Sequence, residues 1–288
     1  MNPPVPTMQL ESFENFINNH FAKALPQTKI TKSKGHHKLL ESVIYSLFSG
    51  GKRFRPSLGF LLGDALGLSN EKVQAWLAAI ECVHTYSLIH DDLPCMDNDS
   101  LRRGKPTNHI LFGETTALLA GDALLTEAFT IISKYYSDSP KIGLSLVQIL
   151  SQAAGLTGMV GGQALDLSAD LKDLNIESIQ WIHQLKTGAL IQAVTEGVAV
   201  IAELAINESQ EVKEFGMLLG FAFQLKDDLL DYDPKGKDYK NLVYHLGLDE
   251  THKILVTVSQ QALDKLSFLT QPPEMLNNLV QYNITRSH

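Results

Sequence analysis

Two apolar stretches of this chain each end in a cluster of aspartates, and this pattern constrains the fold more than any other sequence feature. Across residues 71–93, apolar side chains recur at spacings of three and four, which predicts an α-helix. Leu93-Pro94 ends the pattern, because proline lacks a backbone N–H and crowds the preceding turn. A solvated helix end explains one aspartate. It does not explain three, because like charges repel and the helix dipole disfavours anions at a C-terminus. The cluster therefore favours a bound cation, and its members are Asp91, Asp92 and Asp97.

The second cluster ends an apolar run over residues 215–230 and consists of Asp227, Asp228 and Asp231. Asp227 and Asp231 are four residues apart, so they share one helix face, and Gln224 lies one turn before Asp227. Carboxylate oxygens without soft ligands nearby are typical of Mg²⁺ sites. Two such clusters on separate helices predict a site that holds several Mg²⁺ ions around a diphosphate.

The basic residues form two tight groups in a chain whose net charge is −8. An acidic chain of this kind is not expected to bind nucleic acid, because phosphate backbones require a basic surface. Each basic group therefore predicts local anion binding, with a solvated run of charges as the alternative. The segment Gly51–Pro56 is not a P-loop, because it lacks the spaced glycine and the following hydroxyl residue. The groups are Lys52, Arg53 and Arg55, and Arg102, Arg103 and Lys105.

The chain has 288 residues, of which 44% are hydrophobic, which is ample for a buried core. Alternation at period two is nearly absent, and no linker or fixed repeat stands out, so we predict an all-α fold with one domain over residues 1–288. The helical patterns cover residues 8–23, 38–49, 71–93, 114–136 and 141–157. A long apolar stretch extends from residue 181 to about 206, further helical patterns continue to about residue 232, and another covers 251–268.

Localisation is predicted from what the sequence lacks. Its N-terminus has no basic and apolar regions like those of a signal peptide, and no run of eighteen apolar residues suggests a membrane span. Cys82 and Cys95 have no metal-ligand spacing, so we expect two reduced thiols. We therefore expect a cytoplasmic protein.

Taken together, these motifs resemble those of the trans-isoprenyl diphosphate synthase family, most closely its bacterial members that make farnesyl diphosphate. The resemblance runs from Gly50 to about Tyr232 and is carried by Asp91-Asp-Leu-Pro-Cys-Met-Asp97 and Asp227-Asp-Leu-Leu-Asp231. Gly161-Gly-Gln-Ala-Leu-Asp166 also matches, although alone it reads as a polar helix start. The resemblance implies a single large helical bundle with a central active-site cavity, a homodimer, and Mg²⁺ as cofactor, with three ions per active site.

The reaction implied by the resemblance condenses isopentenyl diphosphate with dimethylallyl or geranyl diphosphate to give farnesyl diphosphate. Isopentenyl diphosphate would be bound by Lys52, Arg55, His84 and Arg103. The allylic diphosphate would be bound by Arg102, Lys186 and Lys240. The carbocation formed from the allylic substrate would be stabilised by Lys186, Thr187 and Gln224. The metal ligands would be Asp91, Asp92, Asp97, Asp227, Asp228 and Asp231.

Two regions carry finer expectations. After Tyr232, the loop that carries two lysines in the family is shorter in this chain. Lys237 and Lys240 are the candidates for these lysines, and we predict that Lys240, rather than Lys235, reaches the allylic diphosphate.

The helix before Asp91 is expected to set the product length. Ser87 on this helix is small, and an aromatic residue at the position of Tyr86 is associated in the family with products that stop at farnesyl diphosphate. We therefore expect a fifteen-carbon product.

Three other functions remain open at this point. Geranylgeranyl diphosphate synthases share much of the amino-acid sequence of residues 91–109. A terpene cyclase also has an aspartate-rich motif, but it binds one diphosphate and would not need a second basic group. A non-catalytic subunit of a heteromeric prenyl synthase should have lost carboxylates from one cluster, and both clusters are intact here.

Overall fold

The structure is a computed structural model that describes residues 7–24, 34–168, 174–236, 238–269 and 274–287. A five-residue π-helical turn, Gln184–Gly188, joins two of its helices. The prediction of an all-α fold is confirmed. The helices are α1 (Thr7–Ala24), α2 (Lys34–Leu47), α3 (Phe54–Ala65), α4 (Asn70–Asp91), α5 (Asn108–Phe112), α6 (Glu114–Tyr135), α7 (Pro140–Ala154), α8 (Met159–Ser168), α9 (Ile176–His183), α10 (Ala189–Ile201), α11 (Ile206–Asp231), α12 (Val243–Leu246), α13 (Leu248–Asp264) and α14 (Glu274–Thr285).

One short hairpin interrupts the helices in the described part of the chain, and the sequence analysis missed it. Strands β1 (Leu101–Arg102) and β2 (Lys105–Pro106) are antiparallel. The two residues between them, Arg103 and Gly104, have φ angles of 54° and 74°. Positive φ at both central positions is the geometry of a tight type I′ turn. Arg103 is an uncommon residue in that conformation, so the sequence offered no hairpin signal.

The predicted helices are present, with ends that shift by a few residues. Helix α2 begins at Lys34 rather than at residue 38, and α13 begins at Leu248 rather than at residue 251. The apolar stretch from Trp181 to about Ile206 is divided among α9, the π turn and α10, and Ile206 already belongs to α11. Periodicity located the apolar faces, but it does not distinguish a π turn from continuous helix.

The chain divides into two compact units. The first unit contains the described residues of 5–56 and 74–143, and the second contains those of 57–73 and 144–287. The first unit therefore includes the first aspartate cluster and both basic groups, and the second unit includes the second aspartate cluster. The expectation of one domain with a central cavity stays a prediction.

In the first unit, hydrogen bonds tie the hairpin and the short helix α5 to α2. Asn108 on α5 is buried and donates to the Ser42 carbonyl at 2.9 Å and to Ser46 Oγ at 2.7 Å. Tyr45 donates from its hydroxyl to the Pro106 carbonyl at 2.7 Å. These bonds position strand β2 and therefore the basic tip of the hairpin.

In the second unit, α11 is the central helix and packs against α10, α13, α14 and the π turn. Glycines allow the closest approaches. A methyl group on Gly162 of α8 would lie 2.3 Å from the Lys186 backbone nitrogen, and one on Gly220 of α11 would lie 2.8 Å from the Gly188 Cα. Since real Cβ atoms do not come this close, both helices can pack against the π turn only because these residues lack a side chain.

Two stretches, Glu114–Tyr135 and Pro140–Ser168, are long and apolar enough by length and composition to cross a membrane. This is weak evidence, because interior helices of water-soluble proteins meet the same criterion.

We predict that Gly162→Ala destabilises the protein, because the added methyl group would push α8 away from the π turn. Overpacking of this kind costs roughly 1–3 kcal/mol, and urea unfolding followed by circular dichroism measures it. Gly35→Ala is the matched control, because a methyl group there would meet no described atom within 4 Å. Equal stability of Gly162→Ala and wild type would contradict the close packing.

Candidate active site

The first aspartate cluster lies where α4 ends. The backbone folds back after the helix, and the Asp97 N–H donates to the Asp91 carbonyl at 2.9 Å, so the two residues lie close together. Asp92 is buried, at 3% exposure, and accepts a hydrogen bond from Arg102 Nε at 2.6 Å. Burial raises the pKa of the Asp92 carboxyl, although Arg102 opposes the shift. Asp92 therefore holds the hairpin against the helix end, and Asp97 remains exposed.

The hairpin tip reaches the loop of the other basic group. Arg103 donates to the Gly50 carbonyl, and a methyl group on Gly51 would lie 2.5 Å from the Arg103 guanidinium carbon. Only glycine leaves room for the guanidinium at this position. The two basic groups, which are separate in the sequence, therefore meet in the structure.

Within the Lys52–Arg55 group, Arg53 has a structural role. Its side chain is 9% exposed and donates to Glu81 Oε2 at 2.9 Å and to the Leu47 carbonyl at 2.6 Å. Arg53 adopts a positive φ of 49° in this arrangement. It anchors the loop to the first unit. The role of Lys52 and Arg55, on either side of it, in binding isopentenyl diphosphate stays a prediction.

His84 lies on α4 among these basic residues. Burial lowers the pKa of its imidazole well below the usual value, and Arg55 and Arg103 lower it further. His84 is therefore neutral near pH 7 and offers one donor and one acceptor nitrogen. His84 therefore interacts electrostatically with Arg55 and Arg103, which are also predicted to bind isopentenyl diphosphate.

In the second aspartate cluster, Asp227 is paired with an arginine that the sequence analysis missed. Arg286 follows α14 and its side chain is 1% exposed; it lies 2.7 Å from Asp227 Oδ1. It also donates to the Phe223 carbonyl at 3.1 Å and to Asn283 Oδ1 at 3.0 Å. A lone arginine after a helix has no sequence pattern that reveals such contacts. Here it holds the end of the chain against α11.

Asp228 is buried, at 4% exposure, and anchors the loop that follows α11. Its Oδ2 accepts from the Leu242 N–H at 2.9 Å, and its backbone carbonyl accepts from Asn241 Nδ2 at 2.7 Å. Gln224 Nε2 donates to its Oδ1 at 3.3 Å. Burial raises the pKa of Asp228 to about 7. The compressed loop is therefore docked on the cluster rather than left without contacts.

Lys186 and Lys240 come together on one carboxylate. Lys186 Nζ donates to Asp166 Oδ2 at 2.7 Å, and Lys240 Nζ lies 3.0 Å from Asp166 Oδ1. Lys235, by contrast, lies in an exposed turn where its N–H donates to Asp233. Lys237 lies outside the described residues. This arrangement is consistent with the choice of Lys240, and it adds Asp166, which only the Gly-Gly-Gln-x-x-Asp segment could have signalled.

Tyr86 and Ser87 lie on α4 before the first aspartate cluster. Tyr86 is 5% exposed, and its ring packs edge-on against His90 with centroids 5.7 Å apart. Burial raises the pKa of the Tyr86 hydroxyl to about 12. Ser87 Oγ donates to the His84 carbonyl at 2.9 Å, which turns its small side chain toward its own helix.

The carboxylate oxygens fit a Mg²⁺ ion that is shared between the protein and a substrate, rather than one that the protein encloses completely. Among the described residues, no three His, Cys, Asp or Glu side chains form a ready-made metal site. Mg²⁺ commonly binds through one or two carboxylates together with water and substrate phosphates, so a full protein shell is not required. Asp91 with Asp97, and Asp227 with Asp231, supply such partial sets.

Comparisons of sequence and of structure with known proteins all match the same family. Residues 36–253 match the family model for polyprenyl synthetase. The farnesyl diphosphate synthase of Geobacillus stearothermophilus is 42% identical over 80% of this chain and 82% of that protein. The large subunit 1 of a heterodimeric geranylgeranyl pyrophosphate synthase of Arabidopsis thaliana is 38% identical over 80% of this chain and 67% of that protein. The crystal structure of an FPP/GFPP synthase from Zymomonas mobilis superposes with a TM-score of 0.86 at 36% identity, covering 96% of this chain and 98% of that one.

Proposed function

The chain belongs to the polyprenyl synthetase family, and we propose that it condenses isopentenyl diphosphate with dimethylallyl or geranyl diphosphate to give farnesyl diphosphate. The observation that carries this proposal is the presence in one chain of two aspartate clusters and of distinct basic groups. Two diphosphates must approach until their carbon ends react, and unit charges 4 Å apart repel by about 4 kcal/mol at an effective dielectric constant of 20. Separate sets of cations therefore keep the two substrates apart and neutralised.

We propose that Asp91, Asp97, Asp227 and Asp231 bind the metal ions, up to three Mg²⁺ per active site. Mg²⁺, when bound, would neutralise the diphosphate that leaves the allylic substrate. Asp92 and Asp228 were also predicted as ligands. That stays a prediction, and their bonds to Arg102 and to the Leu242 N–H support an anchoring role in addition, in which each keeps the neighbouring carboxylates at the end of its helix.

The cationic residues divide between the substrates in this proposal. Lys52, Arg55, Arg103 and neutral His84 bind isopentenyl diphosphate, while Arg102, Lys186 and Lys240 bind the allylic diphosphate. Loss of that diphosphate leaves an allylic cation, which the double bond of isopentenyl diphosphate attacks. The Thr187 carbonyl and the Gln224 side-chain oxygen direct the negative ends of their dipoles toward the cation. The Lys186 ammonium acts on the leaving diphosphate, because a positive charge facing the carbocation would repel it. The proton released after bond formation passes to the free diphosphate.

A geranylgeranyl diphosphate synthase is the second candidate, and the Arabidopsis relative supports it. The bulky ring of Tyr86 favours the shorter product, because it stands five residues before Asp91 where a longer chain would need space.

We also propose a homodimer in the cytoplasm. Light scattering after gel filtration tests the dimer.

We predict that activity requires both aspartate clusters and Mg²⁺. Chelation should abolish turnover and Mg²⁺ should restore it, while Asp91→Asn and Asp227→Asn should each lower kcat by about two orders of magnitude, because metal stabilisation is worth several kcal/mol. Asp138→Asn, at an exposed position between α6 and α7, is the control and should not change kcat. Full activity in chelator, with unchanged helical circular dichroism, would overturn the proposal.

We predict that the adjacent arginines of the hairpin serve different substrates. Arg103→Ala should raise the KM for isopentenyl diphosphate by about tenfold or more, the loss expected for a charge-assisted hydrogen bond. Arg102→Ala should mainly raise the KM for geranyl diphosphate. Lys105→Ala, on the exposed opposite strand, controls for disturbance of the hairpin. Equal shifts for the same substrate in both arginine variants would show that this division is wrong.

We predict that Tyr86→Ala makes longer prenyl chains than the wild type, because removing the ring opens space for another isoprene unit. Chromatography of the products after incubation with isopentenyl and geranyl diphosphates measures the change. Ser87→Ala is the control: it keeps a small side chain one turn before Asp91 and should leave the product length unchanged. If Tyr86→Ala still stops at fifteen carbons, another residue limits chain growth.

A further inference from the structure

Asp166 forms an ion-paired cluster with two lysines that come from different parts of the second unit. Lys186 Nζ lies 2.7 Å from one carboxylate oxygen, and Lys240 Nζ lies 3.0 Å from the other. Lys240 Nζ also donates to the Asp166 backbone carbonyl at 2.5 Å. The side chains are 17% exposed for Asp166 and 34% for each lysine, so the carboxylate is mostly covered while both lysines remain partly open to solvent.

Local packing determines the position of Asp166. Gly162 and Asp166 are four residues apart on α8, so they share one helix face. Gly162 has no side chain, so that face can pack closely against the π turn. A Cβ atom on Gly162 would lie only 2.3 Å from the Lys186 backbone nitrogen. One turn later, the same approach places the Asp166 carboxylate beside the Lys186 ammonium.

The position of Lys240 is determined by the neighbouring residues of its loop. Asn241 and Leu242 are buried, at 4% and 0% exposure, and both bond to Asp228 on α11. Lys240 therefore leaves a fixed backbone and extends to Asp166. The loop is anchored at the second aspartate cluster, and its cationic side chain is oriented by a carboxylate outside that cluster.

The charges within this group are unequal in number. Burial would raise the pKa of the Asp166 carboxyl, but Lys186 and then Lys240 lower it below its usual value, so the group is ionised near neutral pH. Two ammonium groups share one carboxylate, which leaves an excess positive charge. Each ammonium has three N–H donors, and the bonds to Asp166 leave donors on both for a further anion.

We propose that Asp166 is a positioning residue that holds the Lys186 and Lys240 ammonium groups side by side for the allylic diphosphate. This inference rests on the proposed function. Without a substrate, Asp166 is the counter-ion that allows the two cations to lie close together. When the diphosphate binds, the lysines are already oriented, so less side-chain freedom is lost on binding.

The first test measures substrate binding. Asp166→Asn should raise the KM for geranyl diphosphate by about tenfold, the loss of one charge-assisted interaction, and leave the KM for isopentenyl diphosphate within about twofold. Glu196→Gln is the matched control, because it removes a carboxylate 3.0 Å from Lys213 in the same unit. In a double-mutant cycle, Asp166→Asn should cost less in the Lys240→Gln background than alone. Fully additive effects would overturn the proposal.

The second test does not depend on activity. Trypsin cleavage after Lys240 in the substrate-free protein, mapped by mass spectrometry, should be about fivefold faster in Asp166→Asn than in the wild type or in Glu196→Gln, because the lysine loses its anchor. Unchanged cleavage would overturn the inference even in an active enzyme. Faster cleavage in a chain without prenyltransferase activity would support the role of Asp166 and overturn only the proposed function.

If Asp166→Asn does not fold, Asp166→Glu provides the test, because it keeps the carboxylate. It should retain a KM for geranyl diphosphate within about threefold of the wild type, since a charge-assisted interaction is preserved, and should retain slow cleavage after Lys240. A folded Asp166→Glu variant that loses both would overturn the proposal.

Discussion

In both aspartate clusters, the second carboxylate is buried and ties the following chain segment to the end of its helix. Asp92 holds the hairpin through Arg102, and Asp228 holds the loop through the Leu242 N–H. Successive residues on an α-helix point about 100° apart, so adjacent aspartates cannot share a face. One is directed toward the interior, where it must find a donor because an unpaired buried charge is unfavourable. The interior aspartate therefore positions the segment that follows, and in the second cluster its neighbour Asp227 pairs with Arg286.

This division could be predicted only in part. Helical periodicity identified the aspartate-bearing helices, and the spacing of Asp227 and Asp231 placed them on one face. Neither observation reveals which aspartate is buried, because that depends on partners 10 and 14 residues further along the chain. The same limit explains why the contacts of Arg286 with Asp227 and Phe223 were missed. Patterns along one helix carry information about its faces and none about the segments that will cover them.

The π turn at residues 184–188 is a second feature that periodicity did not distinguish. Gln184–Gly188 continues the helical run, so the apolar spacing on either side looks continuous. A π turn widens the helix locally, and such turns occur frequently at functional sites. Here it carries Lys186 and Thr187, and two glycines on neighbouring helices allow close contact with it. The glycines were visible in the sequence as breaks, but their effect on packing appears only when the facing helix is known.

An acidic protein that binds anions must place its cations precisely, because the overall charge of −8 gives no long-range attraction for them. Carboxylates are paired with the cations that we propose to bind the substrates. Asp92 holds Arg102, and Asp166 holds both Lys186 and Lys240. A long side chain that is already oriented loses less conformational entropy when its anion binds. A neighbouring carboxylate lowers the positive potential but also restricts the cation to one geometry. For a substrate with several negative charges, this favours selective binding of a diphosphate in one orientation over general attraction of anions.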